Sequence, residues 1–457
     1  LIGTPGLKPF TTAAVTGRIR GLYTSSDDRL FAVCENKFYE IGEGGAYPYG
    51  ALNTTTGQVY FADNGNQLVL TDGVYGYIFD LKKWTDSADV IREAGTFTRI
   101  PDAAFPGGGR VAFINGVFVV NKPNSGEFRY SDPYDGRVWN ALNHYNAEGA
   151  PDGLLANIVS KNELWLIGKQ TSEVWYMTGD AEDPFARVHG ALNNIGTAAA
   201  DSVATNGNTV FWLGSNAAGQ GVVWAATGYN PERISTHGVE YLISGLSRID
   251  DAVGYCYQQE GHAFYVLNFL TGGKTLVYDQ TTGLWHERAY FDATNGVFQS
   301  HPVTCHSAWK GQNFVGGYRN GKIYTFDFDT YTDDGETIKR VRTTAHQSAE
   351  NKRITYNSLE IEAERGAGLT QAFMPLYTGS TVLEPGVMPL VILNISNDGG
   401  ATWSDNKYAS VGKIGEYKIR CRWTRLGSAR DRVFRFSITD PVKCVLIAGY
   451  ADLEVET

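Results

Sequence analysis

The residues best spaced for chemistry in this chain of 457 amino acids lie toward its C-terminal end, where NISNDGGATWSD sets Ser396, Asp398, Gly400 and Trp403 at the spacing S-x-D-x-G-x-x-W. A carboxylate held in a glycine turn beside an indole raises glycoside cleavage, which needs two carboxyl groups flanking the scissile bond. The same residues suit a structural role. Asn397-Asp398-Gly399-Gly400 supplies the positive-φ positions and the side-chain acceptor of a tight hairpin turn, with Trp403 packing the hairpin on its sheet. Other candidates are thinner. Gly273-Lys274-Thr275 is a partial phosphate loop, but Asn268 stands where the leading glycine is needed and no helix follows, so it reads as a hairpin turn. His301, Cys305 and His306 in HPVTCH lack two further ligands at zinc spacing and read as a buried strand histidine beside a core thiol. PGGGR at 106–110 reads as a loop, and Asp27-Asp28, Asp250-Asp251 and Asp333-Asp334 as solvated turn acids. The expectation is no catalytic residue, no metal and no cofactor.

The densest charge pattern is GEYKIRCRWTRLGSARDRVFRF, where Lys418, Arg420 and Arg422 alternate with Tyr417, Ile419, Cys421 and Trp423. Period 2 predicts a strand with cations on one face and apolar groups on the other. Arg425, Arg430, Arg432 and Arg435 extend the cluster, with Glu416 and Asp431 as the local acids. Two readings stand: a solvated sheet face, or an Arg-rich contact to an acidic subunit or to nucleic acid.

These residues must be positioned by β-structure. Gly at 53 residues, aromatics at 13% and charged residues at 19% fit an all-β chain rich in tight turns. A hairpin with an aromatic near the centre of its second strand returns along the chain, marked by Tyr39, Tyr77, Phe128, Trp175, Trp224, Tyr278 and Tyr324. Their spacing of about 40 to 50 residues is that of β-propeller blades. The prediction is a β-propeller of about seven blades over 1–340. Longer alternating strands after it predict a C-terminal β-sandwich-like domain over 341–457, and the S-x-D-x-G-x-x-W turn falls in that second part.

Five scattered cysteines (Cys34, Cys256, Cys305, Cys421 and Cys444) argue for buried small hydrophobes rather than a disulfide framework. No apolar run of about 18 residues occurs, so no membrane-spanning segment is expected. The start, LIGTPGLKPF, has neither the features of a secretory signal nor a Met, which leaves room for an upstream start. Net charge is −10 and uneven: residues 341–457 hold 14 Lys+Arg against 13 Asp+Glu, leaving 25 against 36 before them. An acidic body is a poor surface for gripping DNA and a suitable one for DNA to slide past.

Two resemblances carry functional expectations. The S-x-D-x-G-x-x-W spacing, with Arg99-Ile100-Pro101, resembles the Asp box and arginine motif of sialidases, which implies a tail-borne glycan-binding or sialidase-like propeller as the alternative reading. Sialidases repeat the box inside their blades, however, whereas this box lies beyond all the hairpins. The larger resemblance begins with LEIEAERGAG (359–368), SNDGGATWS (396–404) and VGKIGEYKIRCRWTRLGSARDRVFRFSITDPVK (411–443). These runs, with YSDPYDGRVWNALNHYNAEGAPDGLLANIV (130–159), ELWLIGKQTSEVWYMTGDAEDPF (163–185) and RLFAVCENKFYEIG (29–42), are similar to the packaged-DNA stabilisation proteins of short-tailed bacteriophages, the tail hub or nozzle family. Family members carry a further lead before the segment corresponding to TPGLKPF. The resemblance implies a non-enzymatic virion tail protein, assembled in the bacterial host cytoplasm as a homo-oligomer, a hexameric ring. That ring would meet the portal-adaptor ring, bear needle, spike or fibre proteins, retain packaged DNA, and pass double-stranded DNA along its lumen without sequence recognition during genome ejection.

Overall fold

In a computed structural model of the chain, the described residues are 3–13, 16–86, 89–147, 149, 152–216, 219–369, 373–375, 381–383 and 385–456. Strands dominate them, with one helix of eight residues, His237–Ser244, capped by the Thr236 hydroxyl. The chain divides into two compact units: 9–289 with 299–325, and 326–457 with 1–8 and 290–298.

The first unit is a succession of antiparallel sheets. Ile19–Thr24, Leu30–Cys34, Lys37–Gly42 and Gly45–Ala51 form the first, in that order. Similar sheets follow over 60–99, 111–146, 154–193, 196–233 and 252–287. The seventh, built on Val303–Trp309, Gln312–Gly317 and Lys322–Asp327, takes its fourth strand from the other end of the chain, Gly6–Thr12. Phe10 sits edge-on to Trp309 and Phe314, with centroids 6.3 and 4.9 Å away, and the Ala13 N–H donates to the Gly321 carbonyl at 2.8 Å.

Each sheet buries both faces against its neighbours, so its central strands are apolar throughout rather than alternating. In Leu30–Cys34 every residue is buried. Leu30, Ala32 and Cys34 face the seventh sheet with Trp309 and Ile323, while Phe31 and Val33 face the second with Leu68 and Phe79. The same exchange links second to third, third to fourth, fourth to fifth and fifth to sixth sheets. Tyr255 stacked on His306 at 6.2 Å joins sixth to seventh. The seven aromatic markers all fall on the third strand of their sheets, the strand that follows each predicted turn. Asn115 and Gly116, at φ 42° and 97°, form one such turn, where two consecutive left-handed residues match the twist of the strands they join. The turn of the hairpin 209–226 lies at 217–218, outside the described residues.

In the second unit, Arg340–Thr343, Asp431–Ile438, Leu390–Ser396 and Lys407–Ser410 form one sheet, joined at its margin by Gln347–Ser348. The other is centred on Ile354–Ala363, flanked by Cys421–Thr424 and Ser428–Ala429 on one side and by Leu446–Val455 on the other. Between the sheets lies a core of Tyr356, Leu359, Ile361, Val391, Leu393, Trp423, Phe434 and Phe436.

Candidate functional site

The glycine turn forms because Leu390–Ser396 must reverse into Lys407–Ser410 on the same sheet. Gly399 and Gly400 sit at φ 72° and 98°, where a side chain is strained. The Ser396 hydroxyl accepts from the Gly400 N–H at 2.8 Å and donates to Asp398 Oδ1 at 2.6 Å. Both Asp398 oxygens accept from the Thr402 N–H, at 2.9 and 3.0 Å, and Oδ2 also accepts from the Thr402 hydroxyl at 2.5 Å. These donors, Ser396 first and then Thr402, hold the Asp398 carboxyl far below the usual carboxylate range. An acid so depressed has no proton to give at neutral pH, and its oxygens are occupied by the turn itself. The arrangement clamps backbone and does not present a general acid.

The sign of that depression yields an expected result. The stabilisation from the Asp398 carboxylate is fully present above the unfolded carboxyl value, about pH 4, and is lost only as pH falls below it toward the folded value. Relative to its intrinsic exchange rate at each pH, the Thr402 amide is expected to stay protected down to about pH 4, and Asp398→Ala to remove that protection throughout. Hydrogen exchange of that amide checks this, and protection lost already near neutrality would contradict it.

Trp403 does not simply fold back on apolar sheet. Its ring lies against Arg435, whose guanidinium carbon is 3.5 Å from the ring centroid. Asn397, inside the same turn, accepts from Arg432 Nε at 2.9 Å. Arg432 is buried, donates to the Leu426 carbonyl at 2.8 Å, and lies over Tyr356 at 4.4 Å; burial pushes its pKa down. The glycine turn and two of the seven cations are therefore one cluster, tying the turn to both sheets.

The other five cations separate. Arg420 makes a two-pronged bond to Glu360 on the central strand, Nε to Oε1 at 2.9 Å and Nη2 to Oε2. Arg422 donates to the Ser358 hydroxyl at 2.8 Å, and Arg430 to the Asn351 carbonyl. Arg425 adopts φ 58° in a turn, and neither its side chain nor that of Lys418 meets a carboxylate among the described residues. The predicted alternating strand is shorter than expected. It runs only over Cys421–Thr424, where Cys421 and Trp423 are buried and Arg422 and Thr424 exposed. Before it the chain turns at 414–415 and 417–418 instead, leaving Ile414 and Tyr417 exposed at 60% and 67%. Gly412 and Gly415, at φ 96° and 83°, break the extended backbone before the alternation can begin. Glu416 accepts from the Lys413 N–H, and Asp431 pairs with His346 at 2.7 Å, so neither serves the cluster as its acid. Glu360 does, and nothing in its local sequence announced that.

The remaining motifs go separate ways. Arg99 lies on the outer strand of the second sheet, 4.2 Å over Tyr75, and Ile100 is in the core. Gly273 turns at φ 64° and Lys274 pairs with Glu287 at 2.5 Å. His301 is buried, which drives its pKa well below the usual value; Cys305 Sγ faces the Ile19 carbonyl and His306 meets Asn313 at 2.9 Å.

Against this geometry, the family description "Bacteriophage P22 Gp10, beta-propeller" matches residues 1–331, and "Bacteriophage P22 Gp10, beta-sandwich" matches 339–454. The chain belongs to the bacteriophage P22 Gp10 family. Membership makes it a phage tail structural protein of the virion, with a β-propeller followed by a β-sandwich. The glycine turn and all seven cations lie in the Gp10 sandwich, and the aromatic markers in the Gp10 propeller. No curated protein matches the chain. Among solved structures, it is similar to the extracellular domain of the hybrid two-component system BT4673 from B. thetaiotaomicron, at 10% identity and TM-score 0.47, over 85% of this chain and 45% of that one. It is also similar to the computationally designed Ika8 protein, at 10% identity and TM-score 0.39, over 70% and 99% of the two chains. PorZ of Porphyromonas gingivalis gives 12% identity and TM-score 0.39, over 69% and 37%. The chain thus spans less than half the length of BT4673 and of PorZ, and similarities this distant carry nothing about function.

Proposed function

We propose that this chain is a non-enzymatic tail hub or nozzle protein that closes the channel below the portal and its adaptor, retains the packaged genome, bears distal tail components and conducts DNA outward at ejection. The observation that carries the proposal is the ordered match of both Gp10 halves across nearly the whole chain. Two features support it. The S-x-D-x-G-x-x-W carboxylate is consumed by its own turn, and the excess of acid before residue 341 suits a surface past which phosphate must slide. Particles assembled without the chain are expected to fill with DNA and then lose it, and an antibody to it should label the unique vertex, distal to the portal. Particles that keep their DNA without it would overturn the proposal.

A further inference from the structure

One sheet of the sandwich unit has two unlike margins. At one, Leu446–Val455 is a strand of ten residues whose described pairing is with Ile354–Ala363, so beyond Leu446 half of its backbone donors and acceptors point away from that partner among the described residues. Every residue from Gly449 to Glu456 is exposed. Leu453 and Val455, opposite Tyr356 and Ile354 on the core-facing side, are 41% and 42% exposed. Asp452, Glu454 and Glu456 lie along this strand and its end, and none of them forms an ion pair among the described residues. The Glu456 N–H does pair with the Arg353 carbonyl, but the two side chains form no ion pair there.

At the opposite margin, across the central strand, Arg422 lies on Cys421–Thr424 and Arg425 follows it with its N–H on the Asn357 carbonyl; Lys418 precedes that strand and Arg430 follows Ser428–Ala429, and all four are exposed with no ion pair among the described residues. Arg420, beside them, is already satisfied by Glu360. Carboxylates without an ion pair on one edge, and on the other Lys418 and Arg425 without one beside Arg422, which faces Glu360 but bonds Ser358, make a surface complementary to a copy of itself.

We infer that the acidic edge strand Leu446–Val455 of one copy docks against the Lys418, Arg422 and Arg425 margin of the next, head to tail, with Leu453 and Val455 covered in the contact. A symmetric pairing of two such edges is disfavoured because it would set Asp452, Glu454 and Glu456 of both copies against each other. A head-to-tail contact uses two different patches on each copy and closes into a ring when its rotation permits. The inference rests on the tail-hub reading only in taking the partner to be another copy of this chain.

Two sets of charge reversals in the full-length chain test it. Asp452→Lys with Glu454→Lys and Glu456→Lys makes both margins basic; Lys418→Glu with Arg422→Glu and Arg425→Glu makes both acidic. Each set alone is expected to raise the concentration needed for assembly, read by sedimentation, by about tenfold or more. An equimolar mixture should assemble again, with the two variants alternating. The neutral set Asp452→Asn, Glu454→Gln and Glu456→Gln should weaken assembly less and flatten its salt dependence, which separates lost attraction from lost folding. Unchanged assembly in both reversed sets, no recovery on mixing, or a parent chain that stays monomeric at every concentration would each overturn the inference. DNA retention is read separately, in particles. Rings that depend on these margins while particles lacking the chain still hold DNA would sink the tail-hub reading and leave the contact standing.

Discussion

Replacing Asp80 by Ala is expected to cost about 3–5 kcal/mol of stability, because it strands a buried guanidinium. Asp80 is fully buried at the end of the third strand of the second sheet, and Arg137 reaches it from the third sheet's loop with Nη2 2.6 Å from Oδ2. The other Asp80 oxygen accepts from the Trp84 indole at 2.9 Å, and the Arg137 guanidinium lies 5.9 Å from the Trp84 ring. The pair thus joins two neighbouring sheets where water is excluded. With the carboxylate gone, the charge has no countercharge and no solvent. Replacing both partners, Asp80→Leu with Arg137→Met, should recover most of the loss, since apolar groups of similar volume fill such sites at little net cost. Urea unfolding of the single and double variants measures this. A loss under about 1 kcal/mol for Asp80→Ala would show that the site relaxes or hydrates.

Phe38→Ala is expected to cost a similar amount, about 3–5 kcal/mol, for a different reason. Phe38 is fully buried between the first and second sheets, with ring centroids 4.9 Å from Phe97, 5.4 Å from Phe79 and 5.5 Å from Phe31. Truncation removes apolar surface and leaves a cavity in a wall built from two sheets, neither of which can close it without moving off its other neighbour. Phe38→Leu keeps most of the volume and should cost less than half as much. Thermal unfolding of the two variants separates a packing defect from a general intolerance at the position.

The propeller was legible because its information is local. Each third strand carries a central aromatic and follows a short turn at a regular interval, so Tyr39, Tyr77, Phe128, Trp175, Trp224, Tyr278 and Tyr324 all mark the same structural position. Closure of the seventh sheet by Gly6–Thr12 was not legible. That strand pairs with residues more than 300 positions away, and GLKPFTT carries no turn or spacing that names its partner. The S-x-D-x-G-x-x-W segment was readable as a turn because glycine at positive φ and an aspartate accepting nearby N–H groups are properties of a few consecutive residues.

The sites themselves divide in the same way. By itself the sequence determined the all-β class, a propeller followed by a sandwich, the turn at Asp398 and the presence of seven cations between Lys418 and Arg435. Only the tertiary structure decided what those cations do, because a cation's partner is chosen by strand register and not by its neighbours in the chain. Glu360 faces Arg422 across the strands and forks Arg420, Asn397 and Trp403 take Arg432 and Arg435 into the turn, and Lys418 and Arg425 are left on a margin. A shift of one residue in the pairing of Ile354–Ala363 with Cys421–Thr424 would exchange the faces of that short strand, turning Trp423 out of the core and Arg422 into it. Burial of Trp423 with Tyr356, Leu359 and Ile361 sets that register, and the charges follow from it.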